Sequence, residues 1–176
     1  MAEINPFRAW RYSETLMENI SDLTSPLFDV ASEKQKAALY ENPYNSIHLS
    51  IPWGDCPSEN AARILQQWRD EGCIQHDSDP AVYVYYQHFR LPGDPKQYCR
   101  KGFICKIKIY DWDDNVILRH ENTMPRSVNE QVALLAATRL NVSPTHGLYT
   151  DVNFELEADM DQSDSNHIES VSCDSI

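Results

Sequence analysis

Between Phe103 and Ile109 every odd position is apolar (Phe103, Cys105, Ile107, Ile109), while Lys106 and Lys108 fall between them. A period of two sends one set to a buried face and the other to solvent, which is the pattern of a half-buried strand. The run Val82 to Phe89 is β-branched and aromatic, and it predicts the antiparallel neighbour across the loop Leu91 to Lys101. Shorter strands are expected at Ile47 to Ile51, Asn115 to Arg119 and His146 to Tyr149.

Helix signals interleave with these strands. Ser32-Glu33-Lys34-Gln35 and Ser127-Val128-Asn129-Glu130 both fit the capping box, so helices are expected to begin at Ser32 and Ser127. The second should pack on the sheet through Val128, Val132 and Leu135. From Ser58 to Glu71, Ala61, Ile64, Leu65 and Trp68 share one helical face, and Gly72 is the stop. Another helix is expected over Ser13 to Leu23, and Asn42-Pro43-Tyr44 ends the one begun at Ser32. Without a strict βαβ rhythm or an internal repeat, the class is α+β: a mixed, largely antiparallel sheet with three or four short helices in a single domain.

A chain of 176 residues suits one such domain, expected to occupy residues 1–151. Residues 152–176 read as an acidic tail. From Asp151 onward there are eight Asp or Glu and no Lys or Arg, so −8 of the net −12 lies there and −4 remains for residues 1–150. From Ala158 the composition is too poor in large apolar groups to offset the entropy of ordering, which predicts a disordered, solubilising segment. The negative balance excludes a phosphate-backbone binder, so no nucleic-acid partner is expected. The longest apolar run, Val132 to Ala137, has six residues against the ~20 of a spanning helix, and Met1-Ala2-Glu3-Ile4-Asn5 has no signal core. No membrane association is expected, and the setting is read as cytoplasmic.

Common catalytic signatures are missing. The five glycines are not spaced as either of the usual phosphate-cradling loops, and no serine lies in a G-x-S-x-G turn. Cys56, Cys73, Cys99, Cys105 and Cys173 include no C-x-x-C pair, so reduced thiols and no metal site are expected, with Cys105 a small core residue. The densest polar cluster is Arg119-His120-Glu121-Asn122-Thr123-Met124-Pro125-Arg126, leading into the Ser127 helix. There His120 and Glu121 offer proton-transfer or hydrogen-bonding groups, and Thr123 beside a helix amino end offers an anion contact. An ordinary exposed polar loop explains the same residues. Arg139 either closes on an anion or caps its own helix. Arg8 and Asp29 are cleft candidates, although Asp29 equally suits a turn before Ser32.

Taken in order, Ile4-Asn5-Pro6-Phe7-Arg8-Ala9, Asp29-Val30, Asn42-Pro43-Tyr44, the Tyr83 to Phe89 strand, Arg100-Lys101-Gly102-Phe103, His120-Glu121-x-Thr123, Asn141-x-Ser143-Pro144 and Gly147-Leu148-Tyr149 resemble the bacterial and archaeal family known as domain of unknown function 1015. The likeness spans about residues 3–151. Longer members carry a second half with an Asp-Gly-His-His-Arg motif, similar to the ParB/sulfiredoxin-like fold that includes kinases of free serine. This sequence has no such motif. Where relatives have Pro-Tyr-Asp-Val it has Leu27-Phe28-Asp29-Val30, and where they have Gly-Pro-Lys and then Asp-Arg it has Arg126-Ser127-Val128 and then Glu130-Gln131.

The resemblance and the residues together imply a binding module for a small phosphate- or carboxylate-bearing molecule, with a cleft lined by Arg8, Asp29, His120, Glu121, Thr123 and Arg139. Alone it would not be catalytic, and no cofactor is expected. If it belongs to an enzyme, the implied activity is that of a nucleotide-dependent small-molecule kinase. The alternative is a non-catalytic interaction subunit that docks a protein carrying the second half through exposed apolar surface.

Overall fold

The computed structural model describes residues 2–27 and 30–164. It opens with strands Ile4–Asn5 (β1) and Trp10–Tyr12 (β2), then helices Glu14–Met17 (α1), Ile20–Leu23 (α2), Glu33–Tyr40 (α3), Ile47–Ser50 (α4) and Pro57–Asp70 (α5). Strands Ile74–His76 (β3), Tyr83–Arg90 (β4), Gln97–Ile104 (β5) and Lys106–Ile107 (β6) follow, then a 3-10 turn at Trp112–Asp114 and helices Pro125–Thr138 (α6) and Glu155–Asp164 (α7). The class is α+β and every ladder is antiparallel: β1 with β6, β2 with β3, and β4 with β5.

The described residues form two compact units, each drawn from separated stretches of chain. One contains the residues up to Ala9, Asp77–His120 and those from Gly147 on; the other contains Trp10–His76 and Glu121–His146.

In the first unit β4 and β5 pair from Tyr83↔Ile104 to Arg90↔Gln97. The expected partnership holds, but β5 starts earlier than the alternating residues, inside the stretch expected as loop. A turn closed by Asp94 N–H on the Leu91 carbonyl, with Gly93 at φ +80°, joins the two strands. The alternation also breaks at Cys105, after which Ile107 and Ile109 are 51% and 92% exposed. Cys105 itself is half-buried, and that burial pushes its thiol pKa up.

Helix α7 runs to Asp164, across the start of the stretch expected to be disordered from Ala158. Three amides of its first turn, those of Glu155, Leu156 and Glu157, donate to the Asp151 carboxylate at 3.0 to 3.2 Å. Met160 is buried, and Glu157 and Asp161, one turn apart, both reach Lys101 on β5. A cap at Asp151 and a cation at Lys101 give this stretch partners that its composition does not indicate. The rest of the expected tail, residues 165–176, lies outside the described residues. Asn115–Arg119 and His146–Tyr149 form no strand; Asn115 turns left-handed at φ +53° and closes the 3-10 turn instead.

The second unit holds the main core: Leu49, Ala61, Leu65, Trp68, Cys73, Ile74 and Leu134. Helix α5 buries the face its spacing indicates, with Ala61, Leu65 and Trp68 inside. It begins at Pro57, whose missing N–H costs nothing at the first helical position. It ends at left-handed Gly72, where Gly72 N–H meets the Arg69 carbonyl and Cys73 N–H meets that of Trp68. The Ser32 capping box forms: Ser32 Oγ accepts from the Gln35 amide, and Gln35 Oε1 accepts from the Ser32 amide at 2.8 Å. The Ser13 to Leu23 segment is two short helices broken at Glu18 and Asn19.

Two expectations fail here for local reasons. Ile47 to Ile51 is a turn of helix, because the buried Asn45 side chain accepts the Ile47 amide and starts it; Ile47 and Leu49, two apart, only mimic a strand. Helix α6 begins at Pro125, so Ser127 lies within its first turn and caps nothing. It lies against α5 through Leu134 and Thr138, while Val128, Val132 and Leu135 are 40 to 59% exposed.

Candidate functional site

Asn42 and Asn45 organise the chain between α3 and α4. The Asn42 side chain accepts the Tyr44 amide, and Asn45, fully buried, donates to the carbonyls of Asp22 and Thr24. This fixes α4, whose His48 Nε2 lies 3.1 Å from the Asn42 carbonyl oxygen. The chain then passes through Pro52-Trp53-Gly54 to α5. Asn60 Nδ2 donates to the Trp53 carbonyl at 2.9 Å, and Gly54 sits at φ +99°, where an added Cβ would lie 3.0 Å from that same nitrogen. Glycine is required by both the backbone angle and the close approach.

The result is a pair of adjoining hollows sharing the wall of Pro52 and Trp53. The smaller, 140 Å³, is lined by His48, Asn60, Arg63 and Ile64 as well as Gly54. The larger, 460 Å³, is lined by Glu33, Lys36, Tyr40 and Ile51. The Trp53 side chain is 65% exposed, and the Tyr40 ring lies 5.9 Å from it at 50° and 5.4 Å from His48. The Tyr40 hydroxyl donates to the Ile51 carbonyl, and burial raises its pKa against the lowering effect of Lys36. Lys36 pairs with Glu33 at 2.8 Å. Among the described residues Arg63 has no hydrogen-bond or ion-pair partner. An uncommitted guanidinium, an imidazole and an open indole can take an anion together with the carbon body that carries it.

The residues singled out from sequence are placed otherwise. Arg8 and His120 belong to the first unit; Glu121, Thr123 and Arg139 belong to the second. Asp29 lies outside the described residues. Arg8 Nε donates to the Asp77 carbonyl. His120, Glu121 and Thr123 are all exposed. Thr123 precedes α6 and Arg139 follows it, so the 14-residue helix separates them by about 20 Å, too far to share one small-molecule pocket. Arg139 is the left-handed residue that ends α6, its amide on the Leu135 carbonyl at 2.9 Å. Arg126 bonds Glu130 one turn along the same helix.

No motif in the sequence marks Trp53, Arg63 or His48. Their one legible signal is Trp-Gly between two helices, followed by Asn60 and Arg63 three apart on the polar shoulder of α5. Among the described residues no group of three or more His, Cys, Asp or Glu side chains is placed to hold a metal ion, and no helix is long and apolar enough to cross a membrane.

No curated protein and no solved structure matches the chain. A family model does, over residues 4–173, and so includes the acidic stretch that the sequence motifs left outside the likeness. The chain belongs to the family described as protein of unknown function (DUF1015).

Proposed function

We propose that this chain is a binding module for a small phosphate- or carboxylate-bearing molecule, seated at the hollows beside Trp53. The observation that carries the reading is the uncommitted Arg63 guanidinium sharing one hollow with an indole that is 65% exposed. In a chain of net charge −12, a cation with no carboxylate partner among the described residues is a selective feature for an anion. The role is binding; the kinase-type chemistry implied by the family resemblance would be supplied by a partner carrying the second half, in the cytoplasm. A thermal-shift screen of phosphorylated metabolites and carboxylates tests this, since a ligand at 100 times its Kd should stabilise by about 2.7 kcal/mol. Arg63→Ala should remove the shift and leave the melting temperature of the free protein nearly unchanged. A screen with no stabilising anion, or a shift that survives the substitution, rejects the reading.

A second reading, docking to a partner protein, is favoured by the first unit. Among its described apolar residues only Met160 is buried, while Ile109, Trp112, Leu118, Leu148 and Phe154 are each more than half exposed. Apolar surface on this scale is ordinarily covered. Co-expression with a polypeptide bearing the Asp-Gly-His-His-Arg half should yield a stable complex that Leu118→Asp disrupts; separate elution of the two chains counts against it.

A further inference from the structure

The next step rests on the ligand-binding reading and narrows its ligand class. We propose that the hollows beside Trp53 take an amphipathic anion, in which a flat ring is joined to a single phosphate or carboxylate, in preference to a bare anion or a wholly polar metabolite. The two hollows divide the task by size and by charge.

At 140 Å³ the hollow at Arg63 is below the ~300 Å³ of an ordinary small-molecule site. It suits a headgroup. The adjoining 460 Å³ falls within the usual range, and four of its walls, Tyr40, Ile51, Pro52 and Trp53, are carbon-rich. Lys36, the cation on its described lining, is already paired with Glu33 at 2.8 Å, so the charge there is matched within the protein. Arg63, in the smaller hollow, is not matched among the described residues. The anion is therefore drawn to Arg63 and the body to the larger space.

The ring preference comes from Trp53. Tyr40 meets it at 50° with ring centres 5.9 Å apart, a tilted contact that does not cover the indole face as a parallel stack would. The Asn60 bond to the Trp53 carbonyl and the left-handed Gly54 hold the backbone beneath the exposed ring. A planar ligand ring can stack on that face without displacing a neighbour.

Calorimetric titration of the full chain with phenyl phosphate and benzoate, against inorganic phosphate and acetate, tests the idea. The aryl anions should bind about tenfold tighter than the bare ones, the order expected from one aromatic stack. Trp53→Ala should erase that ratio, Trp53→Phe should restore most of it, and Arg63→Ala should weaken phenyl phosphate while leaving benzyl alcohol unchanged. Thermal melts of the variants separate lost binding from lost folding; if Trp53→Ala melts early, the Trp53→Phe ratio and the wild-type ratio decide. Inorganic phosphate binding as tightly as phenyl phosphate, with the binding lost in Arg63→Ala, overturns this inference and leaves the anion reading standing. No binding by any of the four anions overturns both.

Discussion

Lys101 Nζ lies 2.8 and 2.9 Å from the two carboxylate oxygens of Asp161, which also accepts the Tyr86 hydroxyl. Glu157, one turn earlier on α7, lies 2.7 Å from the same ammonium. One cation on β5 thus binds two carboxylates on a helix whose buried apolar contact is Met160. The hydrogen bond from Lys101, with that from Tyr86, holds the Asp161 carboxyl below its usual range, and the two acids raise the Lys101 ammonium above its own.

The pH dependence follows from these directions. The Asp161 contribution is complete above the ordinary carboxylate value of 3.8 and is lost as pH falls through the depressed folded value. The Lys101 contribution is complete below its ordinary value of 10.5 and is lost as pH rises through the raised one. Amide-exchange protection of α7 should therefore be constant from about pH 5 to 9, fall in stronger acid, and fall at neutral pH in Lys101→Met. Unchanged protection in that variant would show that the helix is held by Met160 and the Asp151 cap alone.

Leu134→Ala should cost about 2–5 kcal/mol, because it empties a core position between α5 and α6. Val132→Ala, on the exposed face, should cost less than about 0.5 kcal/mol, and Ser127→Ala should lack the ~1 kcal/mol penalty of a lost cap. Urea denaturation of the three variants checks the order.

Removal of the Asn45 amide leaves the Thr24 carbonyl and the Ile47 amide without the side chain that pairs with them, while the Asp22 carbonyl keeps Asn42 Nδ2 as a donor at 3.1 Å. Asn45→Ala should cost about 3 kcal/mol or more, and Asn45→Asp should not rescue it, since a carboxylate cannot donate to the carbonyls of Asp22 and Thr24. Equilibrium unfolding of both variants is the measurement.

Gly54→Ala should destabilise by about 1 kcal/mol or more, since alanine is strained at φ +99° and its Cβ crowds Asn60. The same change should disturb the Trp53 loop, visible as a shifted Trp53 indole resonance in an NMR spectrum.

Arg139→Gly should be neutral or stabilising by up to about 1 kcal/mol, because the residue ends α6 at φ +55°. A loss of stability in a melt would show that the arginine side chain is structural.

Sequence legibility varied with the range of the cause. The α5 face, the Ser32 capping box and the β4–β5 pairing rest on contacts between near neighbours or on one unambiguous period, and each appears in the structure. The α6 face did not, because Val128, Val132, Leu134 and Leu135 include more apolar positions than one side needs, and only the place of α5 selects Leu134. Ile47 to Ile51 is ambiguous as sequence, because burial two residues apart occurs in a single helical turn as well as in a strand.

The candidate site shows the same division. By itself the sequence determined the α+β class, the antiparallel hairpin, the family membership and the acidic balance, all of which follow from local pattern, motif order or summed charge. Tertiary structure alone decided that Thr123 and Arg139 stand at opposite ends of one helix, that Lys101 meets Glu157 and Asp161 of α7, and that Trp53 and Arg63 border one hollow. These depend on where separate elements come to rest, and convergence of side chains across elements leaves no period in the chain for a sequence to display.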